Sequence, residues 1–99
     1  MAKITIKVLE ADAEALRLIR SAIEGKMARL RMGIAATEKR LFHFESKYQL
    51  SSTEFLKNLT AEDLEGGDLE YVEWAGECRI LERLKADLEQ LEAIEYADR

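Results

Sequence analysis

From Leu16 to Tyr48 apolar residues recur every three or four positions: Leu16, Ile19, Ile23, Met27, Leu30, Ile34, Leu41, Phe44 and Tyr48, with Thr37 filling the one double gap. That spacing keeps one face of an α-helix apolar, so a helix is predicted over 12–48, with Asp12 as its cap. Gly25 and Gly33 each cost about 1 kcal/mol against Ala in a helix interior, which makes them the two points where this helix could break. A second stripe, Leu81, Leu84, Leu88 and Leu91, steps by 3, 4 and 3 residues. It predicts a helix over 68–97, capped by Asp68 and needing another helix beside it.

The connector carries its own signals. Ser51-x-x-Glu54 has the form of a capping box, and Leu50 is placed to pack on Phe55 as a staple, so a short helix is expected over 52–58. Thr60 and Asp63 suggest one more turn over 61–65, and Glu65-Gly66-Gly67-Asp68 reads as a turn. Residues 3–9, KITIKVL, alternate instead: Ile4, Ile6 and Val8 against Lys3, Thr5 and Lys7. Period-two alternation with β-branched residues reads as a strand. It is the one strand signal in the chain, so its backbone groups need a partner from elsewhere, and a second copy across a two-fold axis is the simplest source.

The predicted fold is therefore mostly α and a single domain over 1–99. An N-terminal strand precedes a long antiparallel two-helix hairpin, with the short helices at its tip. Matching the stripes outward from the turn pairs Tyr48 and Phe44 with Tyr71 and Trp74, and sets Leu30 and Met27 near Leu88 and Leu91. Each helix also has apolar residues off its stripe: Val72, Ile80 and Ile94 on the second, Leu18, Met32 and Phe42 on the first. A two-helix hairpin leaves those uncovered, so a second surface is expected to meet them.

Composition changes the picture mainly through charge. The net charge is −5, but residues 1–50 hold ten Lys/Arg against six Asp/Glu, and residues 51–99 hold five against fourteen. A basic half at +4 and an acidic half at −9 point to self-pairing or to different partners for the two ends. No apolar run approaches the roughly 20 residues of a membrane span, and the N-terminus has no apolar signal core. A single cysteine, Cys78, fits a reducing cytoplasm.

Candidate chemistry is sparse, and no catalytic, metal-binding or cofactor constellation is recognisable. His43 with Glu77 across the hairpin is an acid–base pair in principle, but nothing supplies a nucleophile, an oxyanion hole or a phosphate loop. Glu70, Glu73 and Glu77 at helical spacing read as a solvated acidic face, and Cys78 as a small core residue. Trp74, followed by Gly76, reads as either core at the turn end or an anchor for a partner, since Trp is a common hot-spot residue. Gly76 suggests close approach by a large side chain such as Phe42 or Phe44. With Trp74, the residues Ile80, Ile94, Glu73 and Glu77 form the expected partner-binding set. Lys3, Thr5 and Lys7 on a two-stranded ribbon could instead face DNA bases, an arrangement similar to the ribbon-helix-helix repressors. The segment after Gly25 lacks the cap with which that fold's second helix opens.

Residues 47–56 (KYQLSSTEFL) and 66–84 (GGDLEYVEWAGECRILERL) resemble a group of small prokaryotic proteins. That group has an aromatic-rich KYG(M)S–EEF turn, then an acidic EWAG segment and a leucine-rich helix. Gln49 stands where the group has glycine, and Leu69-Glu70 replaces part of its acidic run. The resemblance implies an antitoxin of a toxin–antitoxin system: a dimer with an acidic toxin-clasping end, often basic where it binds its own promoter. It brings no catalytic residues. The expectation is thus a non-enzymatic, cytoplasmic interaction protein that neutralises a toxin as a dimer. A self-contained dimeric scaffold and a DNA-binding regulator stand as alternatives.

Overall fold

The computed structural model describes residues 4–5, 13–60, 68–94 and 96–97. Among the described residues three helices dominate: α1 over Ala13–Tyr48, α2 over Ser52–Asn58 and α3 over Leu69–Glu92. The chain divides into two compact units, Met1–Gly33 with Leu84–Arg99, and Ile34–Arg83.

Within Ile34–Arg83, α1 packs on α3. Arg40 pairs with Glu77 and Lys47 with Glu70, so α3 retreats seven residues as α1 advances seven, and the two segments run antiparallel. The core of this unit is Leu41, Phe44, Phe55, Trp74 and Ala75, with Tyr48, Tyr71, Cys78 and Leu81 packed around it. The pairing of Phe44 and Tyr48 with Trp74 and Tyr71 follows the stripe match: Phe44 and Tyr48 both stack on Trp74 with ring centroids 5.6 Å apart, and Tyr48 meets Tyr71 edge-on.

The connector between α1 and α2 is built from local hydrogen bonds. Gln49 takes a left-handed φ of 53°, and the Leu50 amide donates to the Glu45 carbonyl at 3.1 Å, which closes α1 as a Schellman turn. Gln49 Nε2 donates to the Ser46 carbonyl. Ser51 caps α2 by accepting from the Glu54 amide, and the Glu45 carboxylate accepts from the Ser52 amide at 2.8 Å. A left-handed conformation costs an L-residue with a Cβ roughly 1–2 kcal/mol, a cost that glycine escapes. Gln49→Gly is therefore expected to raise the unfolding free energy by about 0.5–1 kcal/mol after the flexibility of glycine in the unfolded chain is deducted. A lower urea midpoint for that variant would contradict the account.

In the other unit, α1 is unbroken at Gly25 and at Gly33. Gly33 has a packing role there, since a Cβ at that position would come within 3.3 Å of a Leu84 methyl. Leu30 is buried, and Arg31 reaches Glu92 at 3.3 Å.

Four expectations need correction or fall out of reach. The second long helix ends at Glu92 and not at 97: the Ala93 amide still reaches Glu89, but that of Ile94 bonds Leu91, a tightening of the last turn. Its last turn carries no basic residue, while Glu89 and Glu92 set negative charge against the negative end of the helix dipole. The seven-residue strand over 3–9 is not established. Ile4–Thr5 pairs in parallel with Tyr96–Ala97 of the same chain, a two-residue bridge, and the rest of 3–9 lies outside the described residues. The helical turn expected over 61–65 also lies outside them. Gly76 is not closely approached by Phe42 or Phe44, because a Cβ there would meet nothing within 4 Å.

Candidate functional site

A groove of about 360 Å³ lies in the Ile34–Arg83 unit. Arg40, His43 and Phe44 of α1 line it on one side, and Glu73, Gly76, Glu77 and Ile80 of α3 on the other. Helical spacing explains the set: 40, 43 and 44 share one face of α1, and 73, 76, 77 and 80 share one face of α3. The lining is mostly apolar, and the missing side chain at Gly76 deepens it.

The predicted partner-binding residues separate here. Ile80, 46% exposed, and the exposed Glu73 lie on the groove. Glu77 lines it too, half-buried, with its Oε1 3.0 Å from Arg40 Nε. That oxygen is buried and accepts no hydrogen bond, so the Arg40 contact is an ion pair without hydrogen-bond alignment. Arg40 also donates to the buried Thr37 hydroxyl, which accounts for a polar residue in the apolar stripe. Trp74 does not belong to the surface. It is 0% exposed, stacked on Phe55 at 3.9 Å, with its indole N–H donating to Ser52 Oγ at 2.8 Å. The anchor reading of Trp74 is corrected: α2 covers it. Ile94 lies past the end of α3, half-buried, in the other unit.

The leucines of the seam, Leu81, Leu84, Leu88 and Leu91, are all half-buried. Of the strand residues, Lys3, Ile6, Lys7 and Val8 lie outside the described residues, and Ile4 and Thr5 are defined by their backbone pairing alone. His43 faces the groove with Glu77, and its ring meets Phe44 edge-on. Burial pushes the Cys78 thiol up, Glu45 and Glu77 push the same way, and the Ser52 hydrogen bond opposes them; a thiol so placed is a poor nucleophile. No group of three or more metal-ligating side chains occurs among the described residues, and no helix there is long and apolar enough to cross a membrane.

At the α2 end of the unit, Lys47 and the Tyr48 hydroxyl both donate to the Glu70 carboxylate. The Lys47 bond, then the Tyr48 bond, holds Glu70 below its ordinary 4.5, and the Glu70 bond leads in pushing Tyr48 up to about 12. The signs are opposite. Glu70, lowered in the fold, contributes stability above the ordinary carboxyl range that is lost as pH falls through it. Tyr48, raised from 10.0, contributes stability below pH 10 that is lost as pH rises towards 12. Urea midpoints across both windows are expected to fall at each extreme, and Tyr48→Phe to abolish this group's part of the alkaline fall while Lys47 preserves much of the acid one.

Residue spacing does not show the groove as a unit, the Glu45 bond to α2 or the exposure of Leu69. A helical wheel centred on Gly76 carries the signal for the groove's α3 wall. No protein family, curated protein or solved structure matches the chain.

Proposed function

We propose that this chain is a non-enzymatic, antitoxin-like interaction protein, acting in the cytoplasm as a dimer that neutralises a partner toxin by covering it with its long helices. The observation that carries the reading is apolar surface left over after the helices pack. Phe42 and Met32 on α1, and Leu69, Val72 and Ile80 on α3, are exposed although each helix has already buried a core face. Exposed large side chains at helical spacing are what a partner surface requires. The acidic charge of residues 51–99 supports a positively charged partner, as a nucleic-acid-cutting or nucleotide-binding toxin must be around its active site.

Co-expression with the neighbouring gene product, followed by size exclusion and a growth assay, tests this. A co-eluting complex and restored growth are expected; no complex and no rescue would sink the proposal.

A further inference from the structure

The face of α3 turned away from the aromatic core is chemically self-complementary about Gly76. At 3.6 residues per turn, positions 69, 72, 73, 79, 80 and 83 all fall within about 60° of Gly76 around the helix. Tyr71, Trp74, Cys78 and Leu81 fall on the opposite side, in the core. Four residues either side of Gly76 stand Val72 and Ile80, 41% and 46% exposed. Three residues either side stand Glu73 and Arg79, exposed and of opposite charge, neither with an ion-pair partner among the described residues. Seven either side stand Leu69, 69% exposed, and Arg83. At the centre, space lies open where a Cβ would be.

We propose that this face joins two copies of the chain, α3 lying antiparallel to α3 of the second copy and crossing it at Gly76 on a two-fold axis. Such an axis sets each residue opposite the one equally far on the other side of Gly76. Val72 then meets Ile80 of the second copy, Glu73 meets Arg79, and Leu69 lies along the aliphatic stem of Arg83. The absent side chain at Gly76 lets the two backbones approach where they cross. Ile80 borders the groove beneath Arg40 and Phe44, so Val72 of the second copy, laid beside it, enters that groove. A parallel pairing would instead put Glu73 on Glu73 and Arg79 on Arg79, and like charges oppose it. The inference rests on the dimeric part of the proposed function. It takes Val72 and Ile80 out of the surface open to a toxin and leaves Phe42 and Met32.

Sedimentation velocity over a concentration series of the full chain tests the contact, with circular dichroism to check that each variant keeps its helices. The unmodified chain is expected to be a dimer. Glu73→Arg and Arg79→Glu each turn two attractive pairs into two repulsive ones, and each is expected to weaken association about tenfold. The double exchange is expected to restore it to within about threefold. Ile80→Ser, which removes apolar contact twice per dimer, is expected to weaken it on the order of 100-fold. A dimer unmoved by the single reversals, or a double exchange as weak as the singles, overturns this contact alone and leaves the dimeric reading standing. A monomeric unmodified chain overturns both the contact and the dimeric reading.

Discussion

Trp74→Ala is expected to lower the unfolding free energy by about 3–5 kcal/mol, the range for deleting a large aromatic from a packed core. A domain of this size has roughly 5–15 kcal/mol in all, so the variant should lose a large share of its stability and unfold at a much lower urea concentration. Trp74 is fully buried, and three rings, Phe44, Tyr48 and Phe55, stack on it. Its loss opens a cavity that α1, α2 and α3 all border, with the Ser52 hydroxyl losing its donor. Urea denaturation followed by far-ultraviolet circular dichroism measures the change. Trp74→Phe keeps a stacked ring without the indole hydrogen bond and should cost less than half as much. A cost under about 1 kcal/mol for the alanine variant would mean that the aromatic cluster does not hold this unit together.

Phe55→Ala is the second large effect, expected at about 3–4 kcal/mol. Phe55 is the one buried residue of α2. Its ring lies parallel to the indole, within 2° at 3.9 Å, and meets Tyr71 edge-on at 5.4 Å. A seven-residue helix has too few hydrogen bonds to persist alone, so α2 depends on this anchor and on its Ser51 and Glu45 bonds. Because Trp74 is the only tryptophan, its emission reports directly on the loss of cover: a red shift in the folded state is expected for Phe55→Ala. The two alanine variants share a cavity, so their costs should fall short of additive by at least about 0.5 kcal/mol in a double-mutant cycle. Full additivity would show that α2 docks independently of the indole.

The proposed dimer contact and the aromatic core sit on opposite faces of α3, and the variants that test them should therefore separate. Charge reversal at Glu73 or Arg79 is expected to change association with little change in urea midpoint at low protein concentration. Trp74→Ala should change both, because the helix that carries the contact loses its support.

Residue periodicity carried the helices with little loss. The three- and four-residue steps from Leu16 to Tyr48 placed α1, and Ser51 with Glu54 placed α2, because caps and amphipathic spacing are properties of neighbouring residues. The stripe match likewise set Phe44 and Tyr48 against Trp74 and Tyr71. Apolar residues out to Ile94 do not mark the end of α3, since Ile94 lies off the leucine stripe that stops at Leu91. The acidic last turn and the absence of a basic residue there, both visible in the sequence, were the better guide.

Spacing alone could not rank the residues on those faces. Trp74 has the character of a partner anchor until α2 is laid across it, and whether Ser52 and Phe55 reach the indole depends on the turn at Gln49. Gly25 and Gly33 look alike as helix breakers in the sequence; the packing of Leu84 distinguishes Gly33, where a glycine fits and a Cβ would crowd. Gly76 looked like a site of close approach and is an open one. The sequence by itself determined where the chain is helical and which side of each helix is apolar, since both follow from local spacing. Only the tertiary structure decided which of those apolar residues are covered, because cover comes from a third element whose path no periodicity records.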